Sequence, residues 1–180
     1  MKYQSQKVAL YYIYGALTLF VAQILFGIVA GTVYVFPNFL SDVLPFNVIR
    51  MIHTNALIVW LLMGYFGATY YLLPEECETE LHSPKLAIIQ FWLFMAAAAA
   101  AVVGYILGYH GGREFLEQPI YIKVGIVVVA LMFLYNTTLT LLKGRKTAIT
   151  NELRRVRSKS RIKKEFKKNG RDREEHTSEL

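Results

Sequence analysis

The chain has 180 residues, 54% of them hydrophobic, and a mean hydropathy of +0.33. Four apolar stretches each exceed the roughly 18 residues that a bilayer-spanning helix requires, which excludes a soluble globular enzyme and implies an integral membrane protein. The net charge of +7 is unevenly placed, because fourteen Lys/Arg and six Asp/Glu lie after residue 142, leaving the membrane part near neutral. The single cysteine, Cys77, excludes an internal disulfide and any multi-cysteine zinc or iron–sulfur site built from this chain alone.

The first predicted helix runs over about residues 8–30, with Gln23 as its one strongly polar interruption. No short apolar core followed by a small-residue cleavage site is seen, so it reads as a retained helix. Gly27 and Gly31 have the small-xxx-small spacing that lets membrane helices approach closely. The prolines Pro37 and Pro45 then break the pattern.

A second helix is predicted over about 47–73, opening on Arg50-Met51-Ile52-His53-Thr54-Asn55. The acidic connection from Pro74 to Pro84 separates it from a third helix over about 85–108, which contains the alanine run 96–101. Gly111-Gly112-Arg113-Glu114-Phe115-Leu116-Glu117-Gln118-Pro119 forms the third connection. A fourth helix follows over about 120–142, and the basic segment 151–180 reads as a soluble, disordered cytoplasmic tail. The fold class is thus all-α, with four transmembrane helices. Four spans with Lys/Arg at both ends place both termini in the cytoplasm by the positive-inside rule.

An ionisable residue inside a membrane helix marks a functional position by default, and His53 is that residue. A neutral imidazole is a good haem-iron ligand, although a histidine bonded to a carbonyl of a neighbouring helix is an equal reading of the bare sequence. Arg50 lies three residues earlier, able to share a helix face with His53. Its planar guanidinium suits carboxylates such as haem propionates, and a snorkelling interfacial arginine is the alternative. Glu114 and Glu117, also three apart, would be presented together by one helical turn. Hard oxygen ligands there could hold calcium or relay protons, against a plain solvated turn. His82, His110 and His176 are not expected at the depth of His53, so a second axial ligand is not apparent.

Residues 45–62, with Pro45-Phe46-Asn47-Val48-Ile49-Arg50-Met51-Ile52-His53-Thr54-Asn55 at their head, closely resemble the second helix of the large, catalytic subunit of bacterial nitric oxide reductases. Further matching blocks follow in order: Tyr71 to Glu76, Leu81 to Ala87, Gly112 to Pro119 and Lys143 to Ile149. The resemblance covers roughly residues 7–150 and places the chain in the haem-copper oxidase superfamily. It implies a respiratory electron-transport subunit of denitrification, in a bacterial inner (cytoplasmic) membrane, that reduces nitric oxide to nitrous oxide. It further implies that His53 is an axial ligand of haem b, that Arg50 lies near the haem propionates, and that Glu114 binds calcium with the Gly64 backbone carbonyl. Glu117 would sit near proton entry, and a small haem c subunit would be the partner.

The family's high-spin haem and non-haem iron ligands belong to helices that would follow residue 150, where this sequence turns basic instead. The chain is therefore expected to be an N-terminal portion, inactive alone, whether truncated, frameshifted or one half of a split subunit, and the remaining part of the catalytic subunit is a partner where it is encoded separately. A nitric oxide dismutase or another haem-copper oxidase branch is the enzymatic alternative. A four-helix membrane adaptor is the other, with its basic tail on anionic lipid or nucleic acid. Of the two, nucleic acid is not the expected partner, since the tail offers a single phenylalanine, Phe166, for stacking.

Overall fold

The computed structural model describes residues 3–40 and 43–178, with side chains described as far as Arg161. Among these residues every regular element is helical: α1 Ser5–Val35, α2 Phe46–Glu76, α3 Pro84–Ile106 and α4 Ile120–Ser178. Four of these segments are long and apolar enough to cross a membrane, with mean hydropathies between 1.6 and 2.3. The protein is a multi-pass membrane protein.

The helix ends follow from local chemistry. Ser83 caps α3 by accepting from the Leu86 amide at 3.2 Å, and Pro84 supplies the pre-set first turn. Gly108 closes the same helix in the left-handed region at φ 80°, with Tyr109 N–H donating back to the Gly104 carbonyl at 2.8 Å. Two boundaries differ from the sequence expectation. Helix α2 runs through Pro74 to Glu76, because a proline in the last turn forfeits only one hydrogen bond. Helix α4 does not end near Leu142 but continues to Ser178, so the backbone over 151–178 is helical where a disordered tail was expected. Lys, Arg and Glu are good helix formers, and an i,i+3 pair such as Arg155 with Glu152 at 3.2 Å adds a little support.

Helix α1 packs most extensively on α2, and α3 on α4, while α2 also touches α3 and α4. Gly67 makes the first of these possible. A Cβ there would fall 2.9 Å from Tyr12 Cβ and 3.3 Å from the Ala9 carbonyl oxygen, both fixed by the facing helix. Gly67→Ala is expected to destabilise the chain by about 1–3 kcal/mol through overpacking, measurable as earlier unfolding in a denaturing-detergent titration.

Asn136 ties α4 to the start of α3, accepting from Ser83 N–H at 2.9 Å and donating to the Ser83 carbonyl at 3.0 Å. Tyr12, Phe66, Tyr70, Phe91, Phe94 and Phe133 fill one core cluster. A second cluster, including Met51, Ile52, Tyr105 and Ile122, lies beside the start of α2.

The second connection is held at the opposite end of the bundle. Glu80 accepts from the Gln4 and Ser5 backbone amides at 2.7 and 3.2 Å, supplying the cap that α1 lacks within its own sequence. Burial raises the Glu80 pKa, but hydrogen bonding from Ser5 and Gln4, with Lys143 nearby, outweighs it and holds the carboxyl below its ordinary value. A lowered folded-state pKa contributes stability that is present above the unfolded carboxylate pKa and lost as pH falls through the folded one. Glu80→Gln is therefore expected to cost about 1 kcal/mol or less at neutral pH. The difference from the parent should vanish as pH drops below the folded-state value, as read by thermal unfolding at several pH values.

Candidate functional site: a histidine between two helices and a buried carboxylate

Helix α2 carries Arg50, His53 and Asn55 within its first three turns, and the third connection folds back over them. His53 is half-buried and points at α1. Its Nδ1 lies 2.8 Å from the Gln23 carbonyl oxygen. A carbonyl can only accept, so Nδ1 carries the proton and Nε2 keeps its lone pair. The Gln23 side-chain Nε2 also approaches Nδ1, at 3.4 Å. Both groups are then donors, so the shorter carbonyl contact sets the tautomer.

The ring occupies space that only a glycine leaves. A Cβ on Gly27 would stand 2.6 Å from His53 Cε1 and 2.9 Å from Nδ1. Gly31, its partner in the small-xxx-small spacing, has nothing within 4 Å of such a Cβ. Gly27 is thus a seat for the imidazole. This arrangement fits an iron ligand, since an orienting hydrogen bond on one ring nitrogen leaves the other free for a metal.

Arg50 reaches both expected glutamates. Its Nη1 lies 2.9 Å from Glu114 Oε1 and its Nη2 lies 3.9 Å from Glu117 Oε1. The two carboxylates do not sit together on a helical turn, because residues 111–119 form a loop. That loop is closed on itself by Gly111 N–H donating to the Glu117 carbonyl at 2.7 Å and Leu116 N–H to the Arg113 carbonyl at 3.0 Å. It sends Glu114 outward, its side chain 71% exposed, and Glu117 inward, at 2%.

Glu117 Oε2 accepts from Asn55 Nδ2 at 2.8 Å, and Asn55 Oδ1 in turn accepts from the Gln118 side-chain amide. All three side chains are buried. A polar chain of this kind in the membrane region is costly unless its members satisfy one another, and Asn55 does so from both ends of its amide.

Gly64 does not join Glu114. It lies fourteen residues beyond Arg50 on the same helix, about 21 Å along the axis, and its Cβ position faces Ala16 of α1. A shared calcium ligand at Gly64 is therefore corrected by helix geometry. No group of three or more His, Cys, Asp or Glu able to hold a metal occurs among the described residues. A calcium site needs six to eight oxygens, and here Glu114 offers one carboxylate already paired with Arg50.

His82 lies at the opposite end of the bundle, edge-on to Tyr135 with ring centroids 5.8 Å apart. His110 is exposed in the third connection, and the side chain of His176 lies outside the described residues. Sequence reasoning missed Gln23, Gly27 and Asn55 as parts of the site. Gln23 had left a signal, as the lone strong polar residue of α1.

The family described as Cytochrome C and Quinol oxidase polypeptide I matches residues 7–156. A nitric oxide reductase subunit of Stutzerimonas stutzeri is 55% identical over 164 residues, covering 83% of this chain and 35% of the relative. The Cbb3-type cytochrome c oxidase subunit CcoN1 of the same organism is 32% identical over 128 residues, covering 69% of this chain and 27% of the relative. A cytochrome c oxidase subunit 1 homolog of Agrobacterium tumefaciens (strain T37) is 26% identical over 132 residues, covering 72% and 24%. The chain thus spans about a third or less of the length of these curated relatives.

Proposed function

Because the chain belongs to the Cytochrome C and Quinol oxidase polypeptide I family, we propose that it forms the low-spin haem half-site of a respiratory nitric oxide reductase catalytic subunit, converting nitric oxide to nitrous oxide. The observation that carries this reading is His53, whose Nδ1 is committed to the Gln23 carbonyl, so that Nε2 is available to iron. The wide gap between 55% and 32% identity favours the reductase over an oxidase branch. The family match over 7–156 speaks against a general membrane adaptor.

In this reading His53 binds haem b and Arg50 faces its propionates. Haem b, when bound, supplies reversible one-electron storage. The chain's own residues supply everything else: Gly27 opens the space for the imidazole, Gln23 fixes its tautomer, and Arg50 holds positive charge where propionates would end. Glu114 contributes one carboxylate to a calcium ion whose other ligands come from outside this chain, and Glu117 accepts protons on the same side. High-spin haem and non-haem iron belong to the rest of the catalytic subunit, and a haem c subunit is the electron-donating partner. Both termini face the cytoplasm of a bacterial inner membrane.

The test is co-expression with a polypeptide supplying the remaining length of the Stutzerimonas reductase subunit. Membranes are expected to consume nitric oxide with a reduced donor, and His53→Ala should abolish that consumption. Consumption unchanged by His53→Ala would overturn the assignment.

A further inference from the structure

Leu131, Tyr135 and Leu142 share one outward side of α4, and Ile149, Leu153 and Val156 continue it past the apolar span; each of the six is 50–65% exposed. Steps of four and three residues keep the last three within a sector of about 60°. The stripe points away from the bundle, since Gly144, about 150° round the helix from it, is where α4 meets Cys77. Basic side chains border it, Lys146 and Arg157 along one edge and Arg145 and Lys159 along the other. Residues 143–161 hold eight Lys/Arg against one acidic residue, Glu152. An apolar stripe edged by cations is the pattern of a helix that lies in a membrane interface.

We propose that residues 143–161 bind the anionic phospholipid headgroups of the leaflet at the Leu142 end of the bundle. Ile149, Leu153 and Val156 enter the acyl boundary, and the flanking Lys and Arg side chains hold the phosphates. Charge selects this occupant: a second copy would bring the same excess of cations to the stripe and repel it, whereas an anionic leaflet attracts them. The apolar span of the same helix keeps the segment beside that leaflet. The side-chain bonds from Thr147 to the Lys143 carbonyl, from Thr150 to the Lys146 carbonyl and between Arg155 and Glu152 all stay within α4, so none of them pins the segment to the bundle. Upright, α4 would lift Val156 about 21 Å beyond Leu142, past a headgroup layer of roughly 5–7 Å. Binding therefore requires α4 to leave the bilayer obliquely.

Spin-label accessibility on the whole chain in nanodiscs tests the proposal. The chain carries Cys77→Ser and a nitroxide at Val156→Cys or, on the opposite face of the helix, at Ser158→Cys. The nanodiscs hold phosphatidylcholine alone or equal parts of phosphatidylcholine and phosphatidylglycerol. With phosphatidylglycerol, the label at 156 is expected to lose contact with a water-soluble nickel chelate several-fold and to gain collisions with oxygen, while the label at 158 stays in contact with the chelate. Sodium chloride at about 1 M, where the Debye length is about 3 Å, should restore the nickel contact at 156. Equal nickel contact at 156 and 158 in the anionic nanodiscs would overturn the proposal. Equal shielding at 156 in phosphatidylcholine alone would overturn recognition of anionic headgroups, and shielding with dipolar broadening between labels would give the stripe to a second copy instead. Neither label touches the haem half-site, so failure here leaves the His53 reading standing, and the converse holds.

Discussion

Gly27→Ala is expected to weaken haem binding by about 10–100-fold, the range seen when the groups that orient a metal ligand are disturbed. The added methyl would stand 2.6 Å from the imidazole, so the ring must rotate away. Rotation breaks the 2.8 Å contact between Nδ1 and the Gln23 carbonyl, freeing the tautomer and the direction of Nε2 together. Gly31→Ala is the control, because its Cβ meets nothing within 4 Å and helix propensity slightly favours alanine. Haem titrations of the two variants in nanodiscs check the contrast. Equal affinities would show that the seat at Gly27 does not position the ligand.

Asn55→Leu is expected to be among the most destabilising single changes near the site. Leucine removes the donor to Glu117 Oε2 and the acceptor for the Gln118 amide, stranding two buried polar groups. Each costs about 1–3 kcal/mol, and more where a charge is involved. The loss belongs mostly to the stranded partners, so Asn55→Leu combined with Glu117→Leu should be less harmful than the two single changes added together. A coupling of about 0.5–3 kcal/mol is expected between contacting residues of this kind. Detergent-unfolding curves of the two single variants and the double variant measure it, and strict additivity would contradict the shared network.

The spans and the identity of the charged positions were legible in sequence because they depend on runs and local spacing. His53, Arg50, Glu114 and Glu117 stand out from apolar surroundings by their chemistry alone. What they touch was not legible. Gln23 reaches His53 across thirty residues, and Asn55 reaches Glu117 across sixty-two, and no periodicity within one helix encodes such pairings. The loop over 111–119 separated two glutamates that a helical turn would have aligned, since the fold of a glycine-rich connection depends on hydrogen bonds such as that from Gly111 to the Glu117 carbonyl. The reach of α4 was underestimated for a different reason: hydropathy marks where a helix leaves the bilayer, not where it stops.

Ligation of iron by His53 Nε2 is open to a direct spectroscopic test, electron–nuclear double resonance on the ferric haem complex of the chain. The protein would carry 15N-histidine, and unlabelled imidazole would stand in for the second axial ligand. A hyperfine coupling from one protein 15N is expected, and it should disappear in His53→Ala. A coupling that persists in that variant would place the iron on another histidine and contradict the site described here.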